Sequence, residues 1–171
     1  MMKDAIIHFF TETVGEELCV LFCSMLPIIE LRGAIPLGAG FGLPWWQTYL
    51  IAVIGNLLPV PVILLFVKSV LTWMAGCRIK FFNKIAGKMF EKAEKAEKNR
   101  AKIEKYAFWG LALFVAIPLP ATGAWTGTLV AALFDMKFWK SLLSALVGVL
   151  IAGVIMTLIS YGVVAAFGTL L

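Results

Sequence analysis

Charged residues are scarce in this chain of 171 residues, where they make up 15% against 61% hydrophobic residues. A soluble domain of this size carries about a quarter charged residues. The composition therefore indicates an integral membrane protein, and we expect one domain covering residues 1–171. The first 17 residues mix Lys3 with several acids, whereas a cleavable signal peptide needs a basic start before an apolar core. We expect 1–17 to form an amphipathic N-terminal segment instead.

Cysteine and histidine are also rare, with three Cys and one His in the chain. Cys19 and Cys23 can share a helix face, but no nearby His or Cys completes a set of metal ligands. Buried free thiols are usually apolar packing residues. The sequence has no Ser/His/Asp order, no phosphate loop and no clustered carboxylates. We therefore expect no catalytic residue, no metal site and no cofactor, which argues against an enzyme.

The chain does contain an internal repeat. A shift of 93 positions lays residues 18–65 over 111–158 without a gap. Because Leu and Ala matches are common in an apolar chain, the Pro, Trp and Gly matches carry most of the weight. The matching pairs include Pro27/Pro120, Phe41/Phe134, Trp46/Trp139, Leu50/Leu143 and Gly55/Gly148. We expect two units, 18–67 and 106–171.

Each unit has the same internal order. It begins with an apolar arm that is shorter than the ~20 residues a helix needs to cross a bilayer, and a Pro- and Gly-rich break follows. A second short arm leads to an aromatic pair of the kind found at membrane–water interfaces, and a full-length span completes the unit. The pattern predicts a re-entrant helical hairpin plus one transmembrane helix, made twice. The arms are 18–29 and 111–119, and the spans are 47–67 and 139–167.

Basic residues predict the orientation of the units. The segment 78–105 holds ten Lys or Arg against four Glu. If each unit crosses the membrane once, this segment lies on the same side as Lys68, Lys137 and Lys140, and the positive-inside rule makes that side the cytoplasm. The two units then have opposite orientations. We expect a multi-pass protein of the inner (cytoplasmic) membrane with an all-α fold, whose two inverted repeats are joined by a basic amphipathic helix at 78–105 in the cytoplasm.

The first break holds Glu30 and Arg32, the only Asp, Glu, Lys or Arg residues between positions 18 and 65. Ionised groups at bilayer depth normally face a protein interior or a water-filled cavity. An Arg guanidinium suits phosphate or carboxylate, and a buried Glu can exchange a proton as its surroundings change. We therefore predict a transport site here, which also includes Gly33 and Pro36. Two alternatives stay open: a structural Glu30–Arg32 ion pair, and a simple span over 18–43.

The second break carries no charge, but its glycines expose backbone N–H groups, and such groups at broken helix ends attract anions. Its Trp can stack on a ligand, and its Thr residues offer hydroxyl groups. The first span contains Asn56 just before two prolines that are expected to kink it, and we expect Asn56 to lean into the same cavity. The candidate residues of the second break are Pro118, Pro120, Thr122, Gly123 and Trp125.

The runs at 30–38 and 118–127 resemble the bacterial and archaeal family of small multi-drug export proteins, and the resemblance covers nearly the whole chain. The paired hairpins are more distantly similar to the DedA (SNARE-associated, VTT) superfamily of membrane proteins. That similarity implies proton-coupled translocation of lipids such as polyprenyl phosphate, with Glu30 and Arg32 as the acidic and basic residues of the first hairpin. In the second hairpin, where DedA proteins usually carry arginines, this chain has Ala116, Thr122 and Trp125.

These observations predict a membrane transporter or lipid translocase for an amphipathic, anionic substrate, either a polyprenyl phosphate-like lipid or a drug-like molecule, with proton coupling. Membrane lipids are expected partners. The small size of the two units suggests a homodimer, and no nucleic-acid-binding fold accompanies the basic charge. The competing interpretation is a non-transporting scaffold or assembly protein that acts through its basic cytoplasmic helix.

Overall fold

A computed structural model describes residues 15–66, 100–118, 122–134 and 136–168, with the backbone alone at 100–105, 167 and 168. Most of the predicted N-terminal segment, most of the basic helix and Pro120 lie outside these ranges. Every regular element in them is a helix, as the composition predicts. The helices are α1 (Glu16–Met25), α2 (Glu30–Gly40), α3 (Trp45–Leu57), α4 (Arg100–Ala116), α5 (Ala124–Leu133) and α6 (Phe138–Gly168).

Two of the helices are long and apolar enough to cross a membrane. They are Trp45–Phe66, which has 22 residues, and Phe138–Ala166, which has 29 residues. Both ranges lie within two residues of the predicted spans 47–67 and 139–167, so the positions of these two long apolar helices are confirmed. The first span contains α3, one turn residue at Leu58 and a further helical stretch to Phe66. The interruption directly precedes Pro59, which has no backbone N–H with which to continue the helix.

Three helices are too short to cross a bilayer alone. Helices α1 and α5 have 10 residues each and α2 has 11, which is about 15 Å of helix. The first break is shorter than the run of Pro and Gly suggested, because α2 already begins at Glu30. Gly33 and Pro36 therefore lie inside α2, and Pro36 is exposed on its surface. Helix-breaking residues are tolerated in membrane helices, so the run overstated the length of the break.

Helix α4 joins two segments that the sequence reading separated. It runs through 17 residues from Arg100 to Ala116, so it crosses the expected boundary at 105/106 without a break. The apolar arm of the second unit is therefore continuous with the end of the basic segment. Its apolar end stops at Ala116, shortly before Pro118, because the residue before a proline is disfavoured in helical conformation.

The connections that follow α2 and α5 have the same backbone hydrogen bonds. In both, the chain turns back after the last helical residue and enters the next span within a few residues. The bonds are Phe41 N–H to Leu37 O (3.0 Å) and Leu43 N–H to Gly38 O (3.1 Å) in one unit, and Phe134 N–H to Val130 O and Met136 N–H to Ala131 O (both 3.0 Å) in the other. Every donor and acceptor in one set lies 93 residues from its counterpart in the other.

Helices from both halves of the chain pack against the long helix α6. Helix α1 packs against α2 and α3, α4 and α5 pack against α6, and α2 and α3 also contact α6. Glycines allow the closest approaches: a Cβ on Gly55 would collide with the Leu21 carbonyl of α1, and one on Gly148 with the Ala112 carbonyl of α4. These two glycines are a matching pair of the sequence repeat. Small residues at helix contacts are typical of membrane proteins, where van der Waals packing holds helices together.

Candidate functional site

The two breaks in the helices meet each other inside the protein. One separates α1 from α2, and the other separates α4 from α5. Hydrogen bonds run between them in both directions, from Arg32 and Trp125. We call this junction the seam and define it by Glu30, Arg32, Thr122, Gly123 and Trp125. All five were predicted as site residues from the sequence.

Arg32 bonds to the end of α4. Its Nη2 donates to the Ile117 carbonyl at 3.0 Å and to Thr122 Oγ1 at 2.9 Å, with the Val115 carbonyl at 3.5 Å. The last carbonyls of a helix have no partner within it and carry partial negative charge. A guanidinium at this position satisfies them and neutralises that charge. Thr122 adds to the arrangement by donating its own hydroxyl to the Ile117 carbonyl at 2.9 Å.

The side chain of Glu30, the first residue of α2, lies against the beginning of α5. Glu30 is only 7% exposed, and Oε1 accepts the backbone N–H of Trp125, in the first turn of α5, at 3.3 Å. The N-terminal end of a helix carries partial positive charge and unpaired N–H groups, so a carboxylate is stabilised there. Glu30 also has φ = 51°, the only positive φ at a non-glycine residue in the described ranges. Such a conformation costs about 1–3 kcal/mol and persists only where the surroundings hold it.

Gly123 provides the space for the Glu30 carboxylate. A Cβ built on Gly123 would overlap all three atoms of that carboxylate group. The backbone of Gly123 is extended, with φ = 179°, so any residue could adopt this conformation. A side chain at position 123 would therefore force the Glu30 carboxylate to move, whereas the backbone at 123 accepts any residue.

Trp125 makes the reciprocal contact to the first break. Its indole Nε1–H donates to the Met25 carbonyl, at the end of α1, at 3.0 Å. Under the 93-residue shift, Trp125 is the counterpart of Arg32 and Gly123 is the counterpart of Glu30. Residues 32 and 125 each bond to the end of the first helix of the other unit, and positions 30 and 123 touch each other. The contact made by each of these positions therefore has a counterpart at the position 93 residues away.

Asn56 is buried in the first span, where α3 packs against α1. It is only 3% exposed, and its neighbour Gly55 packs against Leu21 and Ser24 in the last turns of α1. Within the described ranges, Oδ1 of Asn56 has no hydrogen-bond partner. An unpaired buried acceptor costs about 1–3 kcal/mol. Asn56 therefore has an unused acceptor among the described residues, but its position does not join it to the seam.

The remaining predicted site residues are less directly involved. A Cβ on Gly33 would overlap the side chain of Ile29, which lies in the first break just before α2. Pro36 and Pro118 are exposed, so they shape the backbone around the seam rather than line its interior. Thr128, on α5 beyond the second break, is buried and bonds back to the carbonyls of its own helix at 2.6 and 3.0 Å.

Sequence reasoning missed the acceptors of the seam. The acceptors for Arg32 and Trp125 are mostly main-chain carbonyls, namely those of Val115, Ile117 and Met25. Since every residue has a carbonyl, no side-chain pattern marks these positions. The available signal was indirect: an Arg in an apolar hairpin must find acceptors, and the end of another broken helix supplies several.

The seam contains two kinds of group that attract negative charge. It combines a cation that is held at the C-terminal end of α4 with a helix N-terminus that faces a buried carboxylate. The Oε1 atom of the carboxylate accepts the backbone N–H of Trp125. Protonation of Glu30 would remove the negative charge from this position. The arrangement therefore fits reversible occupation of the α5 N-terminus by negative charge.

Comparison with known proteins gives one match. A family model described as "Putative small multi-drug export protein" matches residues 30–155, a range that includes the whole seam and well over half of the chain. No curated protein and no solved structure matches the chain.

Proposed function

The chain belongs to the family of small multi-drug export proteins, and on that premise we propose that it moves an amphipathic anion across the cytoplasmic membrane with proton coupling at Glu30. The family description supports a transporter in general. The substrate class and the coupling are inferred from the chemistry of the seam. The substrate is a polyprenyl phosphate-like lipid or a drug-like molecule of the same charge.

One observation carries the proposal: the carboxylate of Glu30 lies where an anion would bind at the N-terminus of α5. A carboxyl group removed from water loses solvation of its charge, and the nearby helix end and Arg32 compensate for that loss. When Glu30 takes up a proton, it no longer neutralises the helix end, and the anionic group of a substrate can replace it. When the substrate leaves, the proton leaves too and the carboxylate returns. Each cycle then links one proton to one substrate anion.

Arg32 and Thr122 complete the substrate site in this proposal. Arg32 is bound through Nη2 to the end of α4, and a guanidinium is the kind of cation that suits a phosphate or carboxylate. The Thr122 hydroxyl accepts a hydrogen bond from Arg32 and donates one to the same Ile117 carbonyl, so the three groups are linked. Trp125 provides an aromatic face for the rest of the substrate.

We also propose the architecture through which the substrate moves: two inverted re-entrant units that meet at the seam. The shared connections after α2 and α5 support it, as do the reciprocal contacts of Arg32 and Trp125. Lys137 and Lys140 are exposed near the start of α6, which supports a cytoplasmic location for that end. The relation to the DedA superfamily, and hence a lipid substrate, rests on this architecture and on the resemblance of the hairpins.

The proposal is tested with purified protein in liposomes that contain either labelled polyprenyl phosphate or a water-soluble amphipathic anion, with and without a pH gradient. The wild type is expected to move at least one of them at a rate that depends on the gradient. Glu30→Gln should lose that dependence, because it cannot exchange a proton, and Arg32→Ala should lose transport. Glu16→Gln makes the same chemical change at an exposed position of α1 and should behave like the wild type.

Two results would contradict the proposal. One is that neither substrate moves faster than in liposomes without protein. The other is that Glu30→Gln keeps the full response to the pH gradient, which would separate the seam from proton coupling. The two substrates distinguish a lipid translocase from an exporter of soluble molecules.

A further inference from the structure

The C-terminal half of α6 has a polar face that the proposed transport mechanism does not use. Thr157, Ser160 and Tyr161 are spaced i, i+3 and i+4, so they lie on one side of the helix. Thr157 and Ser160 are each only 8% exposed. In the part of the chain that the structure describes, neither Thr157 Oγ1 nor Ser160 Oγ has a hydrogen-bond partner. Two buried unpaired hydroxyls on one face are costly, since each such group loses about 1–3 kcal/mol.

This face points toward the junction of α2 and α3. The Tyr161 hydroxyl lies 2.6 Å from the Leu43 carbonyl and 2.7 Å from Thr48 Oγ1. One turn before Thr157, Gly153 lies against the ring of Tyr49. Thr157 therefore lies between two contacts with α3, one turn from each. The Tyr161 hydroxyl, the Thr48 hydroxyl and the Leu43 carbonyl therefore meet at this junction, and the hydroxyls of Thr157 and Ser160 lie within one turn of Tyr161 along α6.

The chemistry of these groups favours a cation over an anion. Three oxygens meet at the junction, Leu43 O, Thr48 Oγ1 and Tyr161 Oη, and the two buried hydroxyls on the same face of α6, Thr157 Oγ1 and Ser160 Oγ, add two more oxygens. The C-terminal end of α2, at Gly40, lies just before Leu43, and its partial negative charge favours cations. Lys140 is 17 residues before Thr157 on α6, roughly 25 Å along the helix. No carboxylate belongs to this set, and divalent ions usually require one.

We propose that Thr48, Thr157, Ser160 and Tyr161, with the Leu43 carbonyl, form a binding site for a monovalent cation, Na⁺. Unwound backbone carbonyls and helix C-terminal ends are the groups that coordinate Na⁺ in secondary transporters built from broken helices. The ion supplies the partner that both unpaired hydroxyls need. The site joins the end of α2, the beginning of α3 and the far half of α6, so its occupation stabilises the contact between the two units. It is separate from the seam and does not depend on the proposed substrate.

The experiment measures binding of radioactive Na⁺ to purified protein in nanodiscs, together with thermal unfolding in NaCl and in choline chloride at equal ionic strength. The wild type is expected to bind Na⁺ saturably and to unfold at a higher temperature in NaCl, because a ligand that binds only the folded state stabilises it. Thr157→Val and Ser160→Ala should each weaken binding about tenfold or more, because each removes one oxygen from a charged ligand.

The measurement in choline chloride distinguishes loss of the ion site from general damage to the fold of a variant. In choline, Thr157→Val should be at least as stable as the wild type, because it replaces an unpaired buried hydroxyl with a methyl group of similar size. Ser141→Ala is the matched control: Ser141 is equally buried on α6, but its hydroxyl bonds to the Lys137 carbonyl at 3.2 Å. It should retain the response to Na⁺.

Equal unfolding temperatures of the wild type in NaCl and choline, with no saturable Na⁺ binding, would overturn the proposal and leave water as the partner of these hydroxyls. Na⁺ binding that is unchanged in both Thr157→Val and Ser160→Ala would overturn it as well, because the ion would then bind elsewhere. An equal response to K⁺ would refute the assignment to Na⁺.

Discussion

Gly123→Ala is expected to be among the more damaging small substitutions in this protein, for a reason that involves one other residue. The new methyl group would overlap the carboxylate of Glu30. The extended backbone at position 123 accepts alanine without strain. The Glu30 side chain must therefore move away from the beginning of α5 and give up its bond with the Trp125 N–H.

The expected cost follows from these contacts. Overpacking a buried site costs about 1–3 kcal/mol, and loss of a hydrogen bond to a charged group adds about 1.5–3 kcal/mol when the charge stays buried. We expect Gly123→Ala to reduce the free energy of unfolding by about 2–4 kcal/mol, somewhat less than the sum because the carboxylate can shift toward water. In a Glu30→Ala background the overlap is absent. There, Gly123→Ala should change the unfolding free energy by less than about 0.5 kcal/mol, since its effects on helix capping and on the unfolded chain are small and opposed.

The measurement is a double-mutant cycle of reversible unfolding in mixed micelles, followed by tryptophan fluorescence. Gly110→Ala and Gly162→Ala are controls, because a Cβ at either position meets nothing within 4 Å, and alanine should be neutral or stabilising in these helices. The reasoning is refuted if Gly123→Ala costs the same with and without Glu30. A coupling energy below about 0.5 kcal/mol would mean that the two residues are not in contact.

Two further substitutions probe the other contacts of the seam by the same unfolding measurement. Trp125→Phe keeps the aromatic ring but removes the donor to the Met25 carbonyl at 3.0 Å, so we expect a loss of about 1 kcal/mol; Trp109→Phe, at an exposed position, should cost almost nothing, and equal losses would contradict the assignment. Thr122→Val removes the hydroxyl that links Arg32 to the Ile117 carbonyl, with an expected loss of about 1–2 kcal/mol. Thr122→Ser retains that hydroxyl and should lose much less, so similar losses in the two variants would argue against the link.

The sequence predicted the long helices well because their signal is strong and local. A continuous apolar run bounded by aromatic residues has one physical solution in a bilayer, and both spans were placed within two residues. The first break was predicted too long, because Gly33 and Pro36 were given the weight they have in soluble helices. Bilayers and neighbouring helices stabilise such residues inside a helix, and α2 includes both.

The seam could be predicted only as a set of residues. An Arg and a Glu in an apolar hairpin mark a polar interior, so Glu30 and Arg32 were found from their charge alone. Their separate partners could not be predicted, because most of them are backbone groups more than 80 residues away in the chain. The same holds for Thr157 and Ser160, whose spacing is visible in the sequence, whereas their lack of partners becomes evident only in the folded chain.

The reciprocal contacts of the seam also bear on how this protein is made. When the first 66 residues have been synthesised, α1, α2 and the first span are complete. The Trp125 indole that donates to the Met25 carbonyl is still about 60 residues beyond that point in the chain. The end of α4, in turn, is completed by a guanidinium that entered the membrane earlier. Neither half can therefore reach its final form alone during insertion. The contacts that complete each half form only once both halves have been synthesised, much as two subunits complete each other in an obligate dimer.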